Sequence, residues 1–335
     1  MSTILITGGT GYIGSHVAKE LITAGHKVIL FDTNEMGHAE VLTYLPGAQL
    51  VVGDIADSDL IIKTVKENSV TAVIHLAAYT LVGESVEDPA KYYLNNTAKA
   101  VQFLEVIRST GIDKLIFSST AAVYGEPQYS PIDEQHPFSP TNPYGQTKLI
   151  FEKILQDYER AYGLRSISLR FFCAAGADPD GDLGEDQTPE THLIPLTIFT
   201  ALGYRPSLTV HGTDYPTPDG TAVRDFIHVN DLARAHVLAL NALENGAKST
   251  AYNLGTGKGY SVREIIETTQ KITNSQFKVV DSTRRPGDPV QLVASSDRIQ
   301  RELGWEPKYS DLETIIRTAY TWFSTHPKGY SGNSK

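Results

Sequence analysis

The 335-residue sequence predicts an α/β protein in which a doubly wound parallel sheet carries helices on both faces. Through residue 172, short runs rich in Val, Ile and Leu alternate with stretches of helical period. Continuous apolar runs are typical of strands buried on both faces, and strand–helix alternation favours parallel connections. A glycine-rich segment, GGTGYIG at residues 8–14, joins the first apolar run to the first helical stretch.

The elements follow in order along the chain. Strands are predicted at residues 4–7, 28–32, 50–53, 72–77, 114–118 and 166–172, and helices at 13–23, 57–67, 95–109 and 143–162. Residues 173–222 are rich in Gly, Pro, Asp and Thr and predict irregular structure. Further strands are expected at 224–229 and 252–254, with helices at 231–243, capped by Asn230, and at 261–272, 296–303 and 311–323.

We expect two interleaved domains. Residues 1–172 form a dinucleotide-binding domain to which 222–251 return, and residues 173–221 and 252–330 form a smaller α/β substrate domain. The formal net charge is −10 and no run of Lys or Arg occurs, so neither nucleic acid nor an anionic membrane is an expected partner. The single cysteine, Cys173, allows no intrachain disulfide, and the N-terminus resembles no export signal. We therefore expect a cytosolic protein.

The glycine segment predicts a dinucleotide site. Gly8, Gly11 and Gly14 permit a tight turn and a close backbone approach to a pyrophosphate, at which the next helix directs its N-terminal N–H groups. Asp32 ends the second strand, where a carboxylate accepts hydrogen bonds from ribose hydroxyls and repels a 2′-phosphate. The pattern favours NAD over NADP. Asp54, after the third strand, is a further candidate for the adenine edge.

The segment TNPYGQTK, residues 141–148, predicts a catalytic pair at a helix start. Asn142 is a suitable N-cap and Pro143 a suitable first helical residue. Tyr144 and Lys148 are four residues apart and share a helix face. A nearby ammonium group favours the phenolate, so we expect Lys148 to lower the pKa of Tyr144. The strand that ends at Thr120 places a hydroxyl at the same sheet edge.

Together GGTGYIG, Asp32, FSST (117–120) and Tyr-x-x-x-Lys resemble the extended short-chain dehydrogenase/reductase superfamily. Within it the chain is similar to UDP-glucose 4-epimerases from residue 4 to about residue 330. The segments that carry this resemblance are VGESV (82–86), YYLNNT (92–97), AVYGE (122–126), NPYGQTK (142–148), GTDYPTPDGTAVRDFIHV (212–229), YNLGTG (252–257) and RRPGD (284–288).

The resemblance implies a Rossmann-type fold, bound NAD, and interconversion of UDP-galactose and UDP-glucose through a 4-keto sugar with transient NADH. Tyr144 would take the proton of the sugar 4-hydroxyl, Thr120 would hold that oxygen, and Lys148 would hold the cofactor ribose. A homodimer is expected, with contacts through the helices at 95–109 and 143–162. No metal site is predicted.

The resemblance also implies the rest of the site. The remaining cofactor-binding residues would be Tyr12, Ile13, Ile55, Leu76, Ala77, Ala78, Asn95, Ser118 and Phe172. The remaining substrate-binding residues would be Cys173, His192, Leu193, Thr209, His211, Arg224, Arg285, Asp288 and Leu292. Three of these depart from the family: Cys173 replaces a usual Asn, His211 a frequent Phe, and Leu292 a Tyr that in some relatives crowds the sugar 2-position.

Several alternatives remain. The smaller Leu292 leaves room for an N-acetyl group, so a UDP-N-acetylhexosamine or UDP-pentose 4-epimerase stays open. A 4,6-dehydratase is disfavoured, because Ala121 and Ala122 follow Thr120 where acidic groups would be needed. A non-catalytic dinucleotide sensor predicts loss of Thr120, Tyr144 or Lys148, and all three are present. Zinc hydrolysis is disfavoured because no H-E-x-x-H or paired Cys/His pattern occurs.

Overall fold

The computed structural model describes residues 1–285 and 288–330, so Pro286 and Gly287 of the RRPGD motif lie outside the described residues. The strands in these residues are β1 Thr3–Thr7, β2 Lys27–Asp32, β3 Gln49–Val52, β4 Ala72–His75, β5 Lys114–Thr120, β6 Arg165–Phe171, β7 Cys173–Ala175, β8 Leu208–His211, β9 Val223–His228, β10 Thr250–Leu254, β11 Gly259–Ser261, β12 Val279–Ser282 and β13 Gln291–Leu292.

The helices are α1 Tyr12–Thr23, α2 Ser58–Asn68, α3 Val82–Glu87, α4 Pro89–Tyr93, α5 Ala100–Ser109, α6 Pro143–Tyr162, α7 Leu193–Ala201, α8 Val229–Glu244, α9 Val262–Thr273, α10 Asp297–Leu303 and α11 Leu312–Thr325. Short 3₁₀ segments cover Ala39–Tyr44 and Ala121–Val123, and a π-helical turn covers Leu94–Lys99. None of the helices in the described part of the chain combines the length and apolar character that a bilayer crossing requires.

The central sheet has seven parallel strands in the order β10-β6-β5-β4-β1-β2-β3. Alternate residues of β1 enter different cores: Ile4 and Ile6 pack on one side, whereas Leu5 packs on the other. Helices α1 and α8 pack together, as do α2 and α5. Both faces of the sheet are therefore covered, which confirms the predicted doubly wound α/β class.

A second group of strands lies outside the central sheet. Strand β9 pairs with β7, β11 and β13, and β8 pairs in parallel with β12. The sequence predicted irregular structure over 173–222, where the structure has β7, α7 and β8. Strand β10 extends the segment that returns to the central sheet as far as Leu254. The division into two domains stays a prediction.

Two predicted boundaries were wrong. Helix α8 begins at Val229 rather than at residue 231, and its cap is His228, whose ring accepts from the N–H of Asn230 at 3.1 Å. The helix predicted from Asn95 begins as the π-helical turn and becomes α-helical at Ala100. By contrast, Asn142 caps α6 as predicted, with its side chain accepting from the N–H of Gly145 at 2.9 Å.

Candidate active site

The loop after β1 requires glycine at two positions. Gly8 has a φ of +71°, and a Cβ on it would lie 2.7 Å from the backbone nitrogen of Ala77. A Cβ on Gly14 would collide with the carbonyl oxygen of Gly8. These two glycines hold the loop, the first helix and the end of β4 close together. Close contacts with the protein's own backbone are therefore sufficient to explain why both positions need glycine.

The start of α1 at Gly11 shows whether this loop can accommodate a dinucleotide. It is the N-cap of α1, where no side chain caps the helix, and a Cβ on it would contact only the Gly8 oxygen, at 3.4 Å. The first helical bond runs from Ser15 N to Gly11 O at 3.0 Å, which leaves the N–H groups of Tyr12 and Ile13 ahead of it. Such a helix start attracts anions, so the residues present fit a pyrophosphate.

Asp32 stands beside this loop at the end of β2. Its two carboxylate oxygens accept the backbone N–H groups of Thr10, at 3.1 Å, and Asn34, at 2.9 Å. These bonds fix the carboxylate while leaving lone pairs for further donors. The position and orientation fit the recognition of ribose hydroxyls.

Asp54, the other predicted carboxylate, is already bonded on both oxygens. Ala56 N donates to Oδ1 at 2.8 Å, and Lys99 Nζ donates to Oδ2 at 2.5 Å. Partial burial acts to raise the pKa of Asp54, but the hydrogen bonds from Lys99 and Ala56 outweigh it and lower the pKa. Ile55, next in the chain, is 5% exposed. Asp54 is therefore an anion fixed by bonds to both of its oxygens, and its contact with the adenine edge stays a prediction.

The loop after β4 is held by Asn96, a residue that the sequence reasoning missed. Asn96 accepts from Tyr79 N at 3.0 Å and donates to Tyr79 O at 2.9 Å. The predicted residue, Asn95, donates to the Asn96 side chain at 3.1 Å. Both lie in the π-helical turn, and such turns are frequent at functional sites. The adjacent residues Leu76, Ala77 and Ala78 open the same loop, where Leu76 N donates to Thr7 O at 3.0 Å.

Tyr144 and Thr120 meet at the carboxyl edge of the sheet. Each is 9% exposed, and the Thr120 hydroxyl is near enough to the phenol to influence its ionisation. Burial raises the pKa of Tyr144 to about 12, and the Thr120 hydroxyl acts in the opposite direction. The predicted lowering of this pKa by Lys148 is therefore wrong for the protein alone, because desolvation of the phenol dominates.

Lys148 is directed toward the end of β5. Its ammonium group donates to the carbonyl of Ser118 at 2.8 Å and lies 4.9 Å from the ring centroid of Phe117. The distance from Nζ to the ring centroid of Tyr144 is 5.9 Å. Burial lowers the pKa of Lys148 to about 7, while the charge of Glu152 acts to raise it. The pair shares a helix face as predicted, but the ammonium group is bonded to the sheet.

A buried polar network lies behind this pair, and the sequence reasoning did not find it. The carboxylate of Glu152 accepts from Ser119 and from two nitrogens of Arg170. Arg170 also donates to the hydroxyl of Tyr124 at 2.9 Å, which in turn donates to Asn253 at 2.7 Å. The network connects α6, β5, β6 and β10. A charged residue inside an otherwise uncharged strand, SISLRFF, was the available signal.

Three predicted substrate residues are brought together by the β9 sheet. Leu292 of β13 is opposite Arg224 of β9, and Cys173 of β7 is two residues along, opposite Phe226. Burial raises the pKa of the Cys173 thiol to about 11, and the charge of Arg224 opposes this. The high pKa fits the interpretation of Cys173 as an apolar wall rather than a nucleophile or metal ligand.

A packed apolar group joins this sheet to α6. Leu292 and Phe172 pack against Leu149 of α6 and against Val123 and Tyr124. Phe172 also donates its N–H to Leu254 O at 3.2 Å. The residue proposed to face the sugar therefore lies in one cluster with the element that carries Tyr144.

The remaining substrate residues lie on α7, β8 and the loop before β13. Arg224 donates to the carbonyl of Pro289 at 2.9 Å and lies 3.8 Å from Asp288. Burial, and then the charge of Arg285, lower the pKa of His211 on β8. Thr209 is also on β8, where it is exposed. His192 occupies the N-cap position of α7, which begins at Leu193, but its side chain makes no capping hydrogen bond. Its ring pairs with Glu185 rather than with the arginines.

Comparison with known proteins decides the family. The profile of the NAD dependent epimerase/dehydratase family matches residues 4–255. A UDP-glucose 4-epimerase of Halalkalibacterium halodurans is 47% identical over 332 residues, which are 99% of this chain and 98% of that relative. The chain belongs to the UDP-glucose 4-epimerase family.

Solved structures agree in fold with this epimerase. The UDP-glucose 4-epimerase of Brucella ovis, in complex with NAD, has a TM-score of 0.93 and 47% identity, covering 96% of this chain and 98% of that one. The UDP-glucose 4-epimerase of Bifidobacterium longum, in complex with NAD⁺ and UDP, has a TM-score of 0.92 and 37% identity, covering 98% and 100%. The Rossmann-type fold predicted for this epimerase is thereby confirmed.

Proposed function

We propose that this epimerase interconverts UDP-galactose and UDP-glucose with NAD as its resident cofactor. The observation that carries the proposal is the buried pair of Tyr144 and Thr120, which lies at the carboxyl edge of the sheet, the edge where the glycine loop and Asp32 follow β1 and β2. Bound NAD would supply the acceptor for the hydride that leaves carbon 4 of the sugar and the donor that returns it to the opposite face. Gly11, Tyr12 and Ile13 would hold its pyrophosphate and Asp32 its adenosine ribose.

The proton transfer belongs to Tyr144. Its phenolic oxygen would take the proton of the sugar 4-hydroxyl, and Thr120 would keep the 4-oxygen in place. Because burial raises the pKa of Tyr144 to about 12 in the protein alone, ionisation needs positive charge to enter the site. Lys148 supplies part of that charge whenever it is protonated, and the cofactor ring supplies the rest.

An epimerase must grip the nucleotide and leave the sugar free to turn. Arg224 and Arg285 are suited to the diphosphate because a guanidinium group offers paired donors to phosphate oxygens. Asp288, close to Arg224, would accept from a ribose hydroxyl of the uridine. Cys173 and Leu292 present little hydrogen-bonding capacity on the sugar side, which would let the 4-keto sugar rotate about its bond to the diphosphate.

A second substrate class is favoured by one observation. Leu292 stands opposite Arg224 and is only partly buried, so an N-acetylated hexose would find room at the sugar 2-position. We therefore propose that UDP-N-acetylgalactosamine is also turned over. Replacement Leu292→Tyr should lower the rate with the N-acetylated sugar more than the rate with UDP-galactose. Equal losses on both substrates would refute the roomy pocket.

We further propose a homodimer formed through the helices around residues 95–109 and 143–162. Apolar side chains are exposed there, including Leu94 at 60% and Tyr162 at 58%. The expected species in sedimentation is twice the 36.7 kDa chain mass. Sedimentation of the chain mass alone at micromolar concentration would contradict the dimer.

The cytosol remains the proposed location, where a lone free cysteine such as Cys173 stays reduced.

The activity itself is tested without added cofactor. Purified protein incubated with UDP-galactose should produce UDP-glucose, and the denatured protein should release NAD in about equimolar amount. A preparation that holds no dinucleotide, cannot be loaded with one and yields no UDP-glucose would overturn the proposal.

A further inference from the structure

A hydrogen bond joins two loops that follow non-adjacent strands of the central sheet. The hydroxyl of Tyr79, in the loop after β4, lies 3.0 Å from each carboxylate oxygen of Glu35, in the loop after β2. Strand β1 pairs with both β2 and β4 and therefore lies between them. Neighbouring strands are about 4.8 Å apart, so the two side chains bridge about 10 Å across the carboxyl end of β1. The glycine loop begins at that end.

The Tyr79 side of this bridge is fixed. Asn96 accepts from the backbone N–H of Tyr79 at 3.0 Å and donates to its carbonyl at 2.9 Å. The ammonium group of Lys91 lies 4.1 Å from the centroid of the Tyr79 ring, and the ring of Tyr92 packs beside it with centroids 6.0 Å apart. The phenol is therefore oriented by contacts that do not involve Glu35, and such preorganisation lowers the entropic cost of the bond.

The phenol also remains a hydrogen-bond donor at neutral pH. Partial burial, and then the hydrogen bond and charge of Glu35, raise the pKa of Tyr79 to about 12. The charge of Asp54, the candidate for the adenine edge, acts in the same direction. Tyr79 therefore lies within electrostatic reach of carboxylates on the loops after both β2 and β3.

The Glu35 side is close to the proposed ribose site but free to move. Its neighbour Asn34 donates its N–H to Asp32 at 2.9 Å, and its side chain accepts from the Thr10 hydroxyl of the glycine loop at 3.0 Å. Glu35 itself is exposed, and within the described part of the chain only Tyr79 bonds to its carboxylate. Rotation of this one side chain therefore opens the bridge without displacing either loop.

We propose that Tyr79 and Glu35 form a clasp that closes over the adenosine half of the bound dinucleotide and slows its release. The inference rests on the proposed NAD site, because the bridge crosses the sheet edge where Asp32 and the start of α1 would hold the cofactor. The epimerisation has no net redox change, so a dinucleotide lost in its reduced form would leave the protein unable to complete the turnover. A fixed donor with a movable acceptor retains the cofactor and still permits exchange.

The test measures NAD dissociation from the full chain, loaded with radiolabelled NAD and chased with excess unlabelled NAD. Tyr79→Phe removes the hydroxyl and keeps the ring beside Lys91, whereas Glu35→Ala removes the acceptor. Each should accelerate release about tenfold, because a hydrogen bond to a charged group is lost. The double variant should release NAD no faster than either single variant, since all three lack the same bond. Circular dichroism should show the same thermal melting for every variant.

Tyr129→Phe is the matched control. Its hydroxyl donates to the carboxylate of Asp133 at 2.8 Å, in the segment between β5 and α6, so its NAD release should equal that of the wild type. If the wild type retains NAD and epimerises while both single variants release NAD at its rate, the clasp alone is overturned. A double variant whose acceleration is the product of the two single effects would also overturn it. Wild-type protein that binds no dinucleotide would overturn the clasp together with the proposed function.

Discussion

Glu152 and Arg170 form a buried, doubly hydrogen-bonded ion pair one helical turn behind Lys148. The nitrogen–oxygen distances are 2.9 and 2.5 Å, and the side chains are 3% and 5% exposed. The carboxylate also acts to raise the pKa of Lys148 against the effect of burial. A structural ion pair therefore influences the charge state of a residue in the proposed catalytic pair.

Glu152→Gln should destabilise the fold and alter the pH profile. Removal of one partner leaves the buried Arg170 uncompensated, which costs about 3 kcal/mol in denaturant unfolding. Loss of the negative charge should also lower the pKa of Lys148. The alkaline limb of the pH–activity profile should therefore shift to lower pH. Glu313→Gln, in an exposed pair with Lys271, is the control and should change neither quantity. An unchanged pH profile would contradict the coupling.

Three buried histidines should make the fold sensitive to acid. Burial lowers the pKa of His75 and His228 to about 3 and that of His236 to about 4. Between these values and the unfolded pKa of about 6.5, the unfolded chain binds more protons, so stability is complete above that pH and is lost as pH falls.

The histidine effect is measurable with one conservative variant. Each group contributes up to about 1.4 kcal/mol per pH unit to the slope of unfolding free energy. His236→Asn keeps a donor for the Leu232 carbonyl, which His236 contacts at 2.8 Å, and should make the slope shallower between pH 6.5 and 4. A slope equal to that of the wild type would show that His236 does not titrate in this way.

Cys173 should be a slow thiol that the nucleotide protects. Because burial raises its pKa to about 11, its thiolate fraction at pH 8 is about two orders of magnitude below that of a free cysteine. Modification by a disulfide reagent should be slowed at least to that extent, and UDP should slow it further. Rapid modification that UDP does not affect would place Cys173 away from the substrate.

Asp32→Ser should weaken the preference for NAD. The carboxylate, fixed by Thr10 and Asn34, is proposed to bind the ribose hydroxyls and repel a 2′-phosphate. We expect the NAD affinity to fall about tenfold and the NADP affinity to rise, measured on protein freed of dinucleotide. Asp59→Asn, on the exposed first turn of α2, is the control. An unchanged ratio of the two affinities would refute this role for Asp32.

Local features of the sequence predicted well. The glycine loop, the Asn142 cap and the four-residue spacing of Tyr144 and Lys148 are set by neighbours in the chain, so their elements formed as expected. Helix α7 was missed because LIPLTIFTA is apolar on nearly every side and lacks a helical period.

Long-range features could not be predicted in the same way. The partner of Glu152 is 18 residues away on another element, and nothing in the spacing links it to Arg170. The direction of the Tyr144 pKa depends on how completely the phenol is desolvated, which only the packed structure shows. Likewise, the choice between Asn95 and Asn96 depends on which side of the π-helical turn faces Tyr79.

The most direct measurement is the turnover of UDP-galactose by Tyr144→Phe protein that carries one NAD per chain. Removal of the phenolic oxygen eliminates the proposed proton acceptor, while the ring and its burial remain. The rate should fall about 100-fold or more, with UDP binding nearly unchanged. A loaded variant that converts UDP-galactose within a few-fold of the wild-type rate would contradict the assignment of Tyr144 as the base.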